Sequence, residues 1–268
     1  MNASLRRIGA VVLRYAYLHK RSLPRVFEIV FWPVMELLVW GFVSVYVRSL
    51  SADPAVRIAV FLIGAMIFWD ILYRSQQGVS IAVIEDVWTQ NIVNVLVSPL
   101  RIWEWLTATF IYGFLKTCVI TAILWALAYG LYRFDLADAM GLYLVPLAAN
   151  LFLFGWALGV FTSALVIRWG HAAEALIWGI PFLVQPLSAI YYPLSTLPEW
   201  LRPFALLLPS THVFEGMREV LATGRMASAS LWASFGMNLV AFAAASMVFR
   251  FLYGQAKNTG RLGRLGLD

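Results

Sequence analysis

The sequence predicts an all-α integral membrane protein with six transmembrane helices, and three observations carry that expectation. Of its 268 residues 62% are hydrophobic and 13% charged, against about 25% charged in a soluble domain, so much of the surface meets lipid. Apolar runs recur at or above the roughly 20 residues that a helix needs to cross a bilayer, too long for barrel strands. Basic residues exceed acidic ones by 20 to 14, and along six spans most of them sort to the side of the N-terminus, the usual cytoplasmic bias. This composition excludes an ordinary cytosolic enzyme and leaves little chain for a folded soluble domain. The net charge of +6 fits cytoplasmic loops rather than nucleic acid. A single cysteine, Cys118, rules out an intrachain disulfide and a cysteine-rich metal site.

The chain reads as one transmembrane domain over 1–268. Its first part, 1–25, has Arg7, Arg14 and Arg21 on one helix face and Leu5, Ile8, Val12 and Tyr15 opposite, the pattern of a helix lying in the membrane interface. Basic residues from Arg14 to Arg21 interrupt the apolar stretch, so no cleavable signal is expected. Spans follow at Val26 to Val47, Ile58 to Val83, Trp105 to Leu131, Leu142 to Ile167, Ala172 to Ile190 and Leu231 to Leu252. Lipid offers no partner for backbone amides, so each is read as a helix. An even count returns both termini to the cytoplasmic side, in keeping with the basic N-terminus and the basic tail, Arg261 and Arg264 included.

Two connections carry further signals. The segment 84–104 is polar at both ends, with a short amphipathic helix from about Asn91 to Val97 stopped by Ser98 and Pro99. The segment 191–210 is apolar but cut by Pro193, Pro198, Pro203 and Pro209 into pieces too short to cross. This predicts a re-entrant hairpin in the outer leaflet, against the alternative of an external amphipathic loop.

Charges within the spans cost about 2.5–3.5 kcal/mol each at mid-membrane, so they should face the bundle interior or one another. Glu36 and Lys116 fall at similar depth, roughly 15 Å in from the cytoplasmic side at the helical rise, and are expected to be within reach of each other. Asp70 lies four residues before Arg74 on one helix face. These four residues read either as a polar lining of a path or as a network fixing helix registry. Most of the aromatic residues, 15% of the chain, suit interfacial belts and packing. Phe68, Trp69, Tyr73, Tyr112, Tyr191 and Tyr192 are candidates for lining a conduit, with core packing as the alternative for each.

Catalytic motifs do not emerge. The three histidines, His19, His171 and His212, are spread over both sides and form no zinc-hydrolase pattern. His171 and Glu174 stand three apart at a helix start, where a glutamate ordinarily complements the helix dipole. There is no G-x-S-x-G. The fragment from Gly113 to Thr117 lacks the second glycine of a phosphate-binding loop and lies within a span.

The order of these elements resembles the membrane subunit of ABC type-2 exporters. The likeness covers nearly the whole chain. It is most specific at Val97 to Leu106, VSPLRIWEWL, and at Leu187 to Arg218, where an aromatic-proline pair and two Leu-Pro steps lead to a Glu and an Arg. Ala189 stands where many members have glycine. The resemblance implies an export permease that moves an amphipathic, lipid-linked, polysaccharide or drug-like substrate outward by alternating access. It implies a dimer, expected to be a homodimer, with two copies of a separate ATPase subunit, which binds the ATP and Mg; this chain binds no cofactor of its own. The helix at 91–97 would then be a coupling helix, with Asn91, Ser98, Pro99, Leu100 and Arg101 meeting the ATPase. The plasma (inner) membrane is the expected location. A motif-less intramembrane lipid- or glycan-modifying enzyme, or an ion-coupled transporter using Glu36 and Asp70, are the competing readings.

Overall fold

The computed structural model describes the backbone of residues 3–49 and 53–260, and all regular structure within them is helical. Arg261 and Arg264 of the basic tail lie outside the described residues. The order is α1 (Ala3–Lys20), α2 (Leu23–Ser49), α3 (Asp53–Trp88), α4 (Ile92–Val97), α5 (Ile102–Tyr132), α6 (Leu136–Met140), α7 (Leu144–Trp169), α8 (Glu174–Leu187), α9 (Arg202–Leu206), α10 (Pro209–Thr223) and α11 (Ser228–Asn258).

Four segments are long and apolar enough to cross a membrane: Val26–Ser49, Ile102–Tyr132, Leu136–Leu187 and Ser228–Asn258. The third is a run of 52 residues in which α6, α7 and α8 follow one another through short 3₁₀ turns. The difference from six separate runs has two sources. The side chains of α3 are described only from Phe61 onward, where the polar stretch Asp70 to Gln77 interrupts the apolar run, and α8, with only 14 residues, is continuous with α7 in the third segment.

Helix directions follow from side-chain pairings. α3 is the central helix, buried almost continuously from Phe61 to Val87. α7 runs parallel to it, since Gly155 sits against Leu72 and Ser75, and Gly159 against Gln76 and Val79. A Cβ on Gly155 would come 2.5 Å from the Leu72 carbonyl oxygen, so glycine is what permits this approach; the spacing is the small-xxx-small device of membrane helix pairs. α5 runs antiparallel to α3, with Gly113 meeting Gly78 backbone to backbone. α8 is also antiparallel to α3: Trp88 donates to Glu174 at 3.2 Å, Gln76 to the Ile177 carbonyl at 3.2 Å, and Tyr73 lies against Phe182. α11 runs parallel to α7, tied at one end by Ser234 and Asn238 to Asn150 and at the other by Arg168 to Gln255.

Two apolar cores result. One gathers Ile84, Ile92, Trp105, Ile167, Phe249 and Ala256 at the end of the bundle that carries α1 and α4; the other gathers Phe68, Leu124, Leu136, Leu151, Phe214 and Met217 toward α6 and α10. Between them Gln76, Ser80 and Thr162 form a buried hydrogen-bonded layer, Gln76 donating to Ser80 at 3.0 Å and to Thr162 at 3.2 Å. Gln76 and Ser80 of α3 both reach Thr162 of α7, which sets the register of the two helices.

Candidate functional site

The α4 element is held from behind by carboxylates at the ends of α3 and α5. Asp86, in the last turn of α3, is fully buried and accepts from Arg14, from the Tyr15 hydroxyl at 3.1 Å and from Asn91 Nδ2 at 3.1 Å. Its backbone carbonyl accepts from the Asn91 amide at 2.8 Å, closing the turn into α4. The Tyr15 hydroxyl accepts from Trp105 Nε1 at 3.0 Å. Burial pushes the Tyr15 phenol well above its ordinary range and the Asp86 carboxylate adds to this, so it stays protonated and donating. For Arg14, burial pulls downward and is outweighed by the hydrogen bond and charge of Asp86, leaving a net upward shift.

A second tie lies one helix further on. Arg7 donates from Nε to Glu104 Oε2 at 2.8 Å and from NH2 to Oε1 at 2.5 Å, the forked geometry that guanidinium and carboxylate share. Glu104 is also the N3 residue of a capping box, accepting from the Arg101 amide at 2.9 Å. Of the apolar face expected for α1, Ile8 and Tyr15 are buried. Arg7 and Arg14 do share a face, but they turn inward to Glu104 and Asp86, while Leu5, Leu13 and Tyr17 are exposed. The amphipathic pattern alone could not show that two buried carboxylates wait on other helices.

What α4 turns outward is Val93 and Val97, the latter 77% exposed, followed by exposed Pro99 and Arg101. Ser98 and Leu100 are half-buried, with the Leu100 amide donating to Ser98 Oγ at 3.3 Å, and Asn91 is spent on the Asp86 turn. Trp103 is exposed, while Trp105 is buried against Tyr15.

Within the bundle the structure separates two charges that the sequence brought together. Among the described residues Glu36 and Lys116 form no ion pair. Glu36 has Asp70 and Arg74 as its charged neighbours, with Tyr191 beside it; Lys116 has Arg74 and Glu85. On α5 it is Tyr132, well beyond Lys116, that reaches α2 near Glu36, at Leu38 and Gly41. Asp70 and Arg74 do pair, Nε to Oδ1 at 3.0 Å. The candidate aromatics separate likewise. Phe68 and Trp69 are buried in the core. Tyr112 packs beside Tyr15 and His19 near α1, away from the others. Tyr73 and Tyr191 stand by Glu36, and Tyr191 stacks on Trp40 with ring centroids 4.1 Å apart. Tyr192 donates to the Pro186 carbonyl at 2.6 Å.

The proline-rich segment is folded onto α10. Pro193 and Pro198 are exposed and precede turns, Pro203 lies in the first turn of α9, and buried Pro209 opens α10. Arg218 organises this end. It donates to the Ala189 and Ile190 carbonyls and to Glu215 Oε1 at 2.6 Å, and its guanidinium lies 4.4 Å above the Phe61 ring. Glu215 in turn accepts from the Leu194 amide at 2.8 Å. Ala189 has a left-handed φ of 51°, a conformation in which glycine is at ease and alanine is strained; the Arg218 contacts hold it there.

Arg7, Arg14, Tyr15, Asp86 and Glu104 were not singled out in the sequence as a unit. The signal available was an acidic residue at each end of the 84–104 connection facing a basic N-terminal helix. Comparison with known families matches residues 17–222 to the model described as ABC-2 type transporter. Comparison with curated proteins gives no match. The family match spans most of the chain, both connections included, and with the apolar helices it makes this a multi-pass membrane protein: the chain belongs to the ABC-2 type transporter family as its membrane, permease component.

Proposed function

We propose that this permease exports an amphipathic or lipid-linked molecule, polysaccharide and drug-like cargo included, as a homodimer driven by two copies of a separate ATPase subunit, which supplies ATP and Mg binding. The observation that carries the reading is the α4 element: an exposed apolar and basic face, Val93, Val97, Pro99 and Arg101, mounted on a buried ion-pair network. Force from a moving partner passes to the bundle only through a stiff contact. Asp86 and Glu104 join that face to α1, α3 and α5 at once, so movement of α4 moves three helices.

Six crossings are supported by the alternating directions of α3, α5, α7, α8 and α11, with the apolar α2 before them. The 52-residue run exceeds two crossings at roughly 20 residues each. α1 and the last turns of α11 then share one end, read as cytoplasmic in the plasma (inner) membrane, with the segment 191–210 re-entering from outside. A transporter using Glu36 and Asp70 as a pair of coupled-ion sites would need both carboxylates free, and one oxygen of Asp70 is held by Arg74.

The test is co-expression with the ATPase subunit. Pro99→Gly and Arg101→Glu should leave assembly intact while export and transport-stimulated hydrolysis fall together by tenfold or more. Survival of both activities in both variants removes α4 as the coupling element.

A further inference from the structure

The polar cluster between α2, α3 and α8 carries an unbalanced charge. Arg74 and Asp70 cancel across 3.0 Å, yet Asp70 Oδ2 is buried with no hydrogen-bond partner. Glu36 is half-buried, one helix away from that oxygen, and among the described residues it has no ion-pair partner. Lys116 does not serve it, facing Arg74 and Glu85 instead. Two carboxylates and one guanidinium leave one negative charge over, in surroundings where a lone charge is costly.

Aromatic rings stand beside the same carboxylates. Trp40 stands one turn after Glu36 on α2 and stacks on Tyr191 at 4.1 Å. Tyr73 follows Asp70 on α3 and packs between Trp69 and Phe182. Trp40, Tyr73 and Tyr191 are each half-buried, and Phe182 is 56% exposed, so the rings are reachable from the side of the bundle. Ring faces attract cations through their quadrupole, most strongly where water is excluded. An anionic headgroup would meet net negative charge here, and a neutral sugar would leave the excess charge uncompensated.

We propose that Glu36, the free oxygen of Asp70 and the rings of Trp40, Tyr73 and Tyr191 form a binding site for an amphipathic organic cation. Calling that cation the cargo rests on the exporter reading above; the binding itself does not. Glu36 supplies the charge, the rings supply flat apolar walls, and Arg74 keeps Asp70 from requiring a second cation.

The experiment uses the full-length permease in lipid nanodiscs, with empty discs as the blank, titrated with tetraphenylphosphonium, its anionic counterpart tetraphenylborate and the neutral sugar amphiphile octyl glucoside. Wild type should retain the cation above the blank and neither of the others. Glu36→Gln should weaken cation binding at least tenfold, Glu36→Asp should keep most of it, and Tyr191→Leu, which leaves the charge in place, should weaken it at least threefold. Elution profile and thermal unfolding verify that each variant is folded; if Glu36→Gln is not, the Glu36→Asp and Tyr191→Leu pair decides. Equal retention of cation and anion, binding of the sugar amphiphile in the cation's place, or no effect of the decisive variants overturns the site. With the ATPase subunit co-expressed, export of some cargo without any cation binding would sink this site and leave the exporter standing. Cation binding that never couples to hydrolysis would do the reverse.

Discussion

Arg14 and Asp86, 72 residues apart in sequence, form the ion pair that fixes the N-terminal helix against the turn leading into α4. The pair is asymmetric: the Asp86 side chain is 1% exposed and that of Arg14 is 32%. Removing either partner therefore has different consequences. Asp86→Asn frees a cation that water can reach, whereas Arg14→Gln strands a buried carboxylate that keeps only Tyr15 and Asn91 as donors.

A double-mutant cycle should reveal this coupling. A fully buried pair costs about 3–5 kcal/mol to break, and the access of water to Arg14 reduces the expected loss to about 1–3 kcal/mol. Thermal unfolding of Arg14→Gln, Asp86→Asn and the double variant should show the double less destabilised than the sum. Additive losses would mean that the two groups do not support one another.

The close approach of α3 and α7 makes a sharper prediction about glycine. Gly159→Leu should abolish stable insertion, because even its Cβ would lie 2.8 Å from the Val79 side chain and 3.0 Å from the Gln76 carbonyl oxygen. Gly130→Ala on α5 meets nothing within 4 Å and should be neutral or stabilising by up to about 1 kcal/mol. Yield of folded protein after detergent extraction separates the two.

Charge neutralisation within the bundle should follow the observed pairs. Arg74→Gln leaves Asp70 and Glu36 together without a cation, whereas Asp70→Asn leaves Arg74 with Glu36 as its neighbour, so the Arg74 change should cost more and the double variant less than the sum of the two. Glu36→Gln and Lys116→Met share no ion pair and should combine additively, to within about 0.5 kcal/mol. Non-additivity in the second cycle would place these two residues in contact after all.

At the opposite end, Leu197 and Trp200 distinguish burial by protein from burial by lipid. Leu197 is 7% exposed and Trp200 70%. In a Cys118→Ser background, Leu197→Cys should resist impermeant thiol reagents in detergent and in membranes, while Trp200→Cys should label in detergent and be shielded in membranes. Rapid labelling of Trp200→Cys in membranes would make the segment an external loop.

Arg218→Lys tests the clamp on that segment. A point charge cannot reproduce the fork that reaches Glu215 and two carbonyls at once, so limited proteolysis between residues 191 and 208 should accelerate severalfold. An unchanged cleavage rate would mean that the prolines alone hold the fold there.

Composition and apolar run length determined by themselves that this chain is a helical membrane protein, because the demand of lipid for internally satisfied backbone is read directly from one-dimensional hydropathy. The proline spacing likewise located the broken helices before α10, since a missing amide acts locally. The α4 element was legible for the same reason: Ser98 and Pro99 stop a helix wherever they occur. What only tertiary structure decided is which charged groups meet. Depth along a helix follows from residue number, but azimuth depends on how each helix rotates against its neighbours, and that is set by contacts such as Gly155 and Gly159 on α3. So Glu36 faces Asp70 and Arg74 rather than Lys116, and Arg7 and Arg14, read from the sequence as one face of an interfacial helix, reach Glu104 and Asp86. Buried carboxylates choose their partners by three-dimensional proximity in a low-dielectric interior, where an unpaired charge is too costly to leave.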